Sequence, residues 1–239
     1  MKHKLLIAID GPAGSGKSST AKALAKRLKL PFIDTGAMYR AVTLKAMRER
    51  IPFDDLKRLV AAARAARIRL TPGDPLTQKV FLDGRDVTRA IREPELTRNV
   101  VHVAREPRIR RVMVAKQRTL GKRTGGVMEG RDIGTVVLPD ADHKFFFVAS
   151  SAVRARRRHR ELTVSGIRTT RSKVLSEMLR RDKSDTDRRE GPLRQARDAV
   201  RIDTSSLTID ATIDKILELI SCKPLKKKGL KHRPAPKGS

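Results

Sequence analysis

Gly11-Pro12-Ala13-Gly14-Ser15-Gly16-Lys17-Ser18 fits the spacing G-x-x-x-x-G-K-[ST] without a mismatch, and its flanks carry the context that spacing needs. Before it, Leu5-Leu6-Ile7-Ala8-Ile9 is a short continuous apolar run, the pattern of a strand buried on both faces. After it, Ala21, Leu24, Ala25 and Leu28 fall at i, i+3, i+4 and i+7, one apolar helix face, with Lys22 and Lys26 outside the stripe. A strand, a glycine loop and a helix N-terminus together make an anion site. The glycines let backbone N–H groups wrap phosphate oxygens, and the helix dipole favours the negative charge. Lys17 then reaches the outer phosphates of a nucleoside triphosphate, and the Ser18 hydroxyl is placed for Mg²⁺. A plain Gly-rich turn before a helix would need neither the lysine nor the hydroxyl.

Length and composition narrow the class. The chain has 239 residues, enough for one α/β core with a small insertion. Its single cysteine, Cys222, excludes an internal disulfide and suits a reducing cytoplasm. No apolar stretch approaches the ~20 residues that span a bilayer, and the first strand begins too early for a signal peptide. The expectation is a cytoplasmic monomer. Formal net charge is +29, which points to anionic partners without choosing between nucleotides and nucleic acid. Aromatics are only 3%, so stacking platforms for single strands are poorly supplied. Part of the charge lies in a tail over 222–239, rich in Lys and Pro and without apolar periodicity, which reads as a disordered extension. It could attract RNA or an acidic partner, but a solvated, silent tail is the simpler expectation.

Along the chain, strand and helix patterns alternate. Pro31-Phe32-Ile33 reads as a second strand, and helical patterns run on to about Arg67. Then Ile68–Thr71, Lys79–Leu82 and Asp86–Thr88 read as short strands split by the turns Pro72-Gly73-Asp74-Pro75 and Asp83-Gly84. Residues 67–105 are expected to form an inserted antiparallel subdomain, followed by two more helical segments. His143–Val148 is a buried strand, Ser151–Leu162 an Arg-rich helix, and Leu207–Ile220 an apolar closing helix. The fold class is α/β, a doubly wound parallel sheet.

A phosphate loop alone covers switches, motors and small-molecule kinases. The strand Phe145-Phe146-Phe147-Val148 runs into Ala149-Ser150, so no apolar strand is found that ends in the metal-binding carboxylate of switch and motor proteins. Single arginines sit at loop-like positions: Arg40, Arg110, Arg131, Arg181 and Arg188. Moving a phosphoryl group onto another phosphate gathers negative charge, and planar, permanently charged guanidiniums suit that task. These features favour a kinase acting on a phosphorylated small molecule.

Three runs carry a resemblance. Asp34-Thr35-Gly36-Ala37-Met38-Tyr39-Arg40, then Pro107-Arg108-Ile109-Arg110 with Gln117-Arg118, then Glu129-Gly130-Arg131-Asp132-Ile133-Gly134-Thr135-Val136-Val137-Leu138-Pro139-Asp140-Ala141 resemble the bacterial cytidylate kinase family in order and spacing. Arg181-Asp182-x-x-Asp185-x-x-Arg188, Pro192-Leu193 and Ile202-Asp203-Thr204 continue it, so that it covers residues 4–220. The resemblance implies an adenylate-kinase-like P-loop core, an antiparallel monophosphate-binding insert and a lid over about 165–190, in a kinase domain of residues 1–221. It also implies transfer of the ATP γ-phosphoryl to CMP or dCMP, with Mg²⁺. By position, Gly11, Pro12, Ala13, Gly14, Ser15, Gly16, Lys17, Ser18 and Ser19 hold the ATP phosphates, with Ser18 on the metal and Arg154 and Arg158 on the nucleotide side near the lid. Arg40, Arg131 and Arg188 hold the CMP phosphate, and Arg110 and Asp132 face the cytosine. Arg181 and Asp185 touch the sugar and nearby phosphates, and Asp34, Thr35 and Tyr39 join the substrate side. Lys17, Arg131, Arg181 and Arg188 form the catalytic set.

The residue types make chemical sense by themselves. Cytosine has an exocyclic amine where uracil has a carbonyl. A carboxylate such as Asp132 accepts from the amine and repels the carbonyl, unless it serves only to orient Arg131 through an ion pair. No strong general base is needed, since the acceptor oxygen is already ionised. Two positions depart from the family pattern. A base-contacting serine, placed three helical turns before Arg110, aligns here with Val101, leaving His102 or Thr97 to replace it; Ser184 stands where relatives often carry a basic residue. Val101 makes broad pyrimidine or UMP use the nearest alternative. A nucleotide-switched RNA-binding protein is the alternative from another class.

Overall fold

Five short parallel strands organise the chain. The computed structural model describes residues 4–71 and 74–222. In it β1 (Leu6–Asp10) is the central strand, flanked on one side by β6 (Gly126–Gly130) and then β2 (Phe32–Asp34). On the other side lie β7 (His143–Val148) and then β8 (Val200–Asp203). All four pairings are parallel, with Ile9 opposite both Glu129 and Phe145. The expected doubly wound sheet is therefore present.

The continuous apolar pattern of β1 has a direct cause, because helices cover both faces of the sheet. Side chains alternate between layers. Ala8 and Met128 join one buried cluster, while Ile7, Ile9 and Val127 join the other. The second cluster is closed by α1 (Lys17–Arg27) and α8 (Ile209–Cys222), through Leu24, Ile213 and Ile216. Ile209, expected on the apolar face of the last helix, lies at its first turn and is exposed.

The first cluster lies under α2 (Thr35–Arg48), α3 (Leu56–Ala65), α4 (Pro94–Arg105) and α5 (Pro107–Thr124). On α5 the residues Arg110, Met113, Gln117 and Gly121 are all buried, spaced three, four and four apart. That spacing turns one face inward and carries the arginine with it.

The insertion differs from the expectation in extent. A three-stranded antiparallel sheet does form, from β3 (Ile68–Leu70), β4 (Val80–Leu82) and β5 (Arg85–Asp86). It ends at Asp86; a 3₁₀ turn (Ala90–Arg92) and α4 fill the rest of 67–105, so one of the two helices expected after it lies inside it. Val80, Leu82, Ile91 and Leu96 belong to the same buried cluster as Met128. The Gln78 side chain donates to the Phe32 carbonyl at 2.7 Å and ties the small sheet to β2. Of the first expected turn, Pro72-Gly73 lies outside the described residues, as does the tail from Lys223.

Between β7 and β8 the chain forms a helical hairpin, α6 (Ser151–Val164) and α7 (Arg171–Asp187). Its apolar footing is small: Ala155, Val174 and Met178, with Ala13, Leu162 and Leu175 against them. No helix among the described residues is long and apolar enough to cross a membrane.

Candidate functional site

Four candidate segments emerge at the carboxyl end of a sheet strand, whereas Arg110 lies on α5 and Arg181, Asp185 and Arg188 lie on or just after the last turns of α7. The loop from Gly11 follows β1, Asp34 and Thr35 follow β2, Arg131 and Asp132 follow β6, and Ser150 follows β7. In an open parallel sheet this edge, where chain order reverses, is where ligands bind.

The phosphate loop is tightly built. Lys17 is 4% exposed, and its ammonium donates to the Pro12 carbonyl at 2.6 Å. Burial, then the nearby Arg131, pulls its pKa down to about 7, with Glu129 and Asp10 opposing. A cation held this way gains strongly from an incoming phosphate. Gly14 has a φ of +72°, and a Cβ there would lie 3.0 Å from both the Arg154 carbonyl and the Met178 Cε. The glycine thus lets the α6–α7 hairpin sit on the loop. Ser18 and Ser19 are exposed on the first turn of α1.

A carboxylate to which the sequence reading gave no role stands beside Ser18. Glu129 is buried at the end of β6, and the Ser18 hydroxyl donates to it. Burial and then Asp34 raise its pKa. This corrects the expectation that no apolar strand delivers a carboxylate to the phosphate loop: β6 does. It was overlooked because only Val127 and Met128 precede Glu129. Asp10, at the end of β1, was also missed. It accepts from the Ile133 and Gly134 amides, both at 2.8 Å, and fastens the start of the π-helical segment Ile133–Val137. Burial raises its pKa to about 6, against the opposing pull of those two amides.

Opposite the loop, charges alternate in one chain across four elements. Arg110 of α5 donates to Asp132, and the second Asp132 oxygen faces Arg188 at 3.7 Å. Arg188 in turn bonds Asp185 at 3.4 Å, and the other Asp185 oxygen accepts from Arg131 at 2.9 Å. Despite burial, Arg131, Arg181 and Arg188 hold the Asp185 pKa below its ordinary value. Asp132 was expected to read the base or to orient Arg131. It makes its ion pairs with Arg110 and Arg188, while Arg131 pairs with Asp185. Arg181 carries no hydrogen bond of its own among the described residues, and burial, followed by Arg131, lowers its pKa to about 10.

The remaining candidates divide. Asp34 caps α2 by accepting from the Ala37 amide at 2.7 Å and bonds Arg40 at 3.1 Å. Thr35 spends its hydroxyl on the Glu129 carbonyl at 2.6 Å. The Tyr39 hydroxyl is buried without a partner among the described residues, its pKa pushed up to about 12 by burial, and its ring lies 5.7 Å from the Arg110 guanidinium. Arg154 bonds the Ala13 carbonyl at 3.2 Å and also Asp182, and so braces the phosphate loop. Arg158 is paired with Glu161 at 2.9 Å and reaches the arginine group only through its field on Arg181. Its neighbour Arg157 does more: it donates to Thr204, whose hydroxyl donates to the Ser15 carbonyl at 2.9 Å.

Val101 does not lie on one helix with Arg110. α4 ends at Arg105, the chain turns at Glu106, and Arg110 belongs to α5. The two meet because Arg110 donates to the Ala104 carbonyl at 3.2 Å. Of the two suggested substitutes, the His102 ring stacks on Phe53 at 5.2 Å, and Thr97 donates to the Glu93 carbonyl.

A parallel sheet with a phosphate loop after its central strand and a clustered set of arginines facing that loop defines a nucleotide-dependent phosphotransferase. The cytidylate kinase family model matches residues 7–222. A cytidylate kinase of Desulforamulus reducens is 50% identical over 216 residues, covering 90% of this chain and 96% of its own length. One from Geobacillus sp. (strain WCH70) is 45% identical over 221 residues, covering 92% and 98%. The chain belongs to the cytidylate kinase family. Family membership makes it a nucleotide kinase, the reading the sequence favoured over a nucleotide-switched RNA-binding protein. A solved structure of an uncharacterised protein from Eubacterium ventriosum shares the fold at 14% identity, with a TM-score of 0.51 over 91% of this chain and 99% of its own.

Proposed function

We propose that this chain transfers the γ-phosphoryl group of ATP to CMP or dCMP with the two nucleotides on opposite sides of Lys17. The observation that carries the reading is the buried Arg110–Asp132 pair, in which α5 supplies the arginine and the turn after β6, the strand next to the phosphate-loop strand, supplies the carboxylate. On the ATP side, the amides from Gly11 to Ser19 cradle the phosphates. Lys17 leaves the Pro12 carbonyl for a phosphate oxygen, a change that its lowered pKa favours. On the acceptor side, Arg40, Arg131 and Arg188 hold the CMP phosphate. Arg181, with no hydrogen bond to give up, closes over the group in flight. Asp185 trades its arginines for a sugar hydroxyl. Asp132 accepts from the cytosine amine while Arg110 donates to the ring side of the base. Catalysis is alignment and charge neutralisation in a site that α6 and α7 shield from water.

A Mg²⁺ ion fits beside Ser18, where Glu129 is a buried carboxylate whose burial no cation fully offsets. When bound it neutralises charge on the ATP β- and γ-phosphates. The region 67–105 forms the acceptor-side insert and 165–190 the lid, in a soluble cytoplasmic monomer.

The test is ADP release with ATP and Mg²⁺ on adding CMP, dCMP, UMP or AMP singly, for wild type and Asp132→Ala. A wild-type preference for CMP and dCMP over UMP of about 10²-fold or more, largely lost in the variant, is expected, because a buried carboxylate oxygen accepts from the cytosine amine and repels the uracil carbonyl. Comparable wild-type rates with UMP would replace the reading by a broad pyrimidine kinase.

A further inference from the structure

The turn that leaves α7, residues 188–193, approaches the Arg110–Asp132 pair through a glycine. Gly191 is buried with a φ of +57°. A Cβ at this position would lie 2.1 Å from Asp132 Oδ2, 2.5 Å from Arg110 Nη2 and 3.0 Å from Asp132 Cγ. Those side chains are only 7% and 3% exposed and are bound to each other, so neither can swing aside without breaking the pair.

The turn itself is pinned around this contact. The Gly191 carbonyl accepts from Arg188 Nε, and the Leu193 amide donates to the Asp185 carbonyl at 2.8 Å. From outside, Arg111 of α5 donates twice to Glu190, at 3.0 and 2.7 Å. Backbone without a side chain is therefore pressed onto the pair, with arginine contacts on both sides of the contact point.

We infer that Gly191 is a positioning residue for base selection: its missing side chain lets the lid's exit turn seat on Arg110–Asp132, so that lid closure and base recognition occur together. The inference rests on reading that pair as the base reader. The seated turn walls the carboxylate from water, so the Asp132 oxygen that faces the wrong base meets a carbonyl with no water to screen the repulsion. An alanine at 191 either lifts the turn and admits water or rotates Asp132 away. Both weaken CMP binding, and both relieve the penalty on UMP. Backbone strain is a separate matter, and Gly84 supplies its control: φ is +85° and nothing lies within 4 Å of a Cβ there.

The experiment is a double-mutant cycle on the full chain, with Gly191→Ala, Asp132→Ala, both together, and Gly84→Ala, reading kcat and KM separately for CMP and UMP. Gly191→Ala should raise the CMP KM by about 10- to 10²-fold, as expected for a displacement of about 1 Å at a binding group. It should change kcat less and narrow the CMP-to-UMP ratio, while Gly84→Ala changes neither. In the Asp132→Ala background the second substitution should cost under about 3-fold, because the obstructing oxygen is gone. Full additivity, or an unchanged CMP-to-UMP ratio in Gly191→Ala, overturns the inference. If Gly191→Ala does not fold but the double variant does, the contact is upheld; if neither folds, the glycine serves the fold and the inference fails. An Asp132→Ala variant that keeps wild-type base preference instead sinks the base-reader reading.

Discussion

The phosphate loop and the arginine cleft opposite it bind the same kind of charge by opposite means. The loop uses backbone: eight consecutive residues between β1 and the first turn of α1, with Lys17 resting on the loop's own Pro12 carbonyl. The cleft uses side chains from distant parts of the chain, in the order Arg110, Asp132, Arg188, Asp185, Arg131. Backbone donors are preset by the fold and have no competing partner. Arg110, Arg131 and Arg188 already have carboxylate partners, and on the proposed reading Asp185 holds the place of the acceptor phosphate. One region waits open; the other holds an internal substitute until substrate displaces it.

Four measurements press on that contrast. The largest effect falls on the loop. Lys17→Ala should lower kcat for CMP by about 10³-fold or more, since charge at the transferred group loses its preset cation. Its melting temperature should not fall, because the lysine is a buried cation whose pKa burial already depresses. A matching loss of stability would show that Lys17 holds the loop together.

In the cleft the pattern should reverse. Asp185→Asn leaves Arg131, Arg181 and Arg188 facing one another, and the free protein should lose about 2–3 kcal/mol by denaturant titration. CMP, which brings an anion to the same arginines, should restore most of it. Equal losses with and without CMP would mean that Asp185 is no stand-in for the substrate.

Asp10 joins the two regions, and its pH behaviour can be worked out. Its pKa of about 6 lies above the ordinary 3.8, so its contribution to stability is present below about pH 4 and is lost as pH rises through 6. The Ile133 and Gly134 amides, however, need an ionised acceptor. Lowering the pH through 6 therefore favours the fold at Asp10 while slackening its hold on the segment after Asp132. Wild-type kcat/KM for CMP should show an acid limb near pH 6, and Asp10→Asn should flatten that limb at a cost of about 10-fold. An unchanged limb in the variant assigns it elsewhere.

The smallest effect is a fraction of a proton. With its pKa at about 7, Lys17 is part neutral in the free protein near pH 7.5, and ATP phosphates should recharge it. Its own contribution to folding stability is present above about pH 10.5 and is lost as pH falls through 7. Calorimetry in buffers of different ionisation enthalpy should detect proton uptake on ATP binding, absent in Lys17→Ala.

The same contrast explains what could be read from sequence. The loop, its strand and its helix were legible because every donor belongs to one contiguous segment with a fixed spacing. β2, β3, β4 and β7 were legible as apolar runs between turn residues, and the arginines as members of the family runs; the third antiparallel strand was expected at Asp86–Thr88 and forms instead at Arg85–Asp86, two exposed charged residues with no apolar signal. Partner choice was not legible. Asp132 could have served Arg131 next to it in sequence, but the turn after β6 sends Arg131 to Asp185 instead. β8 passed unnoticed because Arg201 and Asp203 interrupt it on an edge where only one side pairs. Glu129 and Asp10 each end a strand in one charged residue, and no periodicity marks a residue whose importance comes from the adjacent strand. The helix break at Glu106 was hidden because α4 and α5 follow each other with one residue between, so Val101 read as continuous with Arg110.

The narrow apolar footing of the α6–α7 hairpin sets how the molecule comes apart. Three buried side chains, Ala155, Val174 and Met178, anchor a unit of more than thirty residues, whereas the sheet rests on two large clusters. Segments with so little buried apolar surface open on their own, well before global unfolding. Amide hydrogens of α7 should therefore exchange with deuterated solvent far sooner than those of β1 or β6, and a protease should nick the hairpin first, leaving the sheet as the resistant fragment.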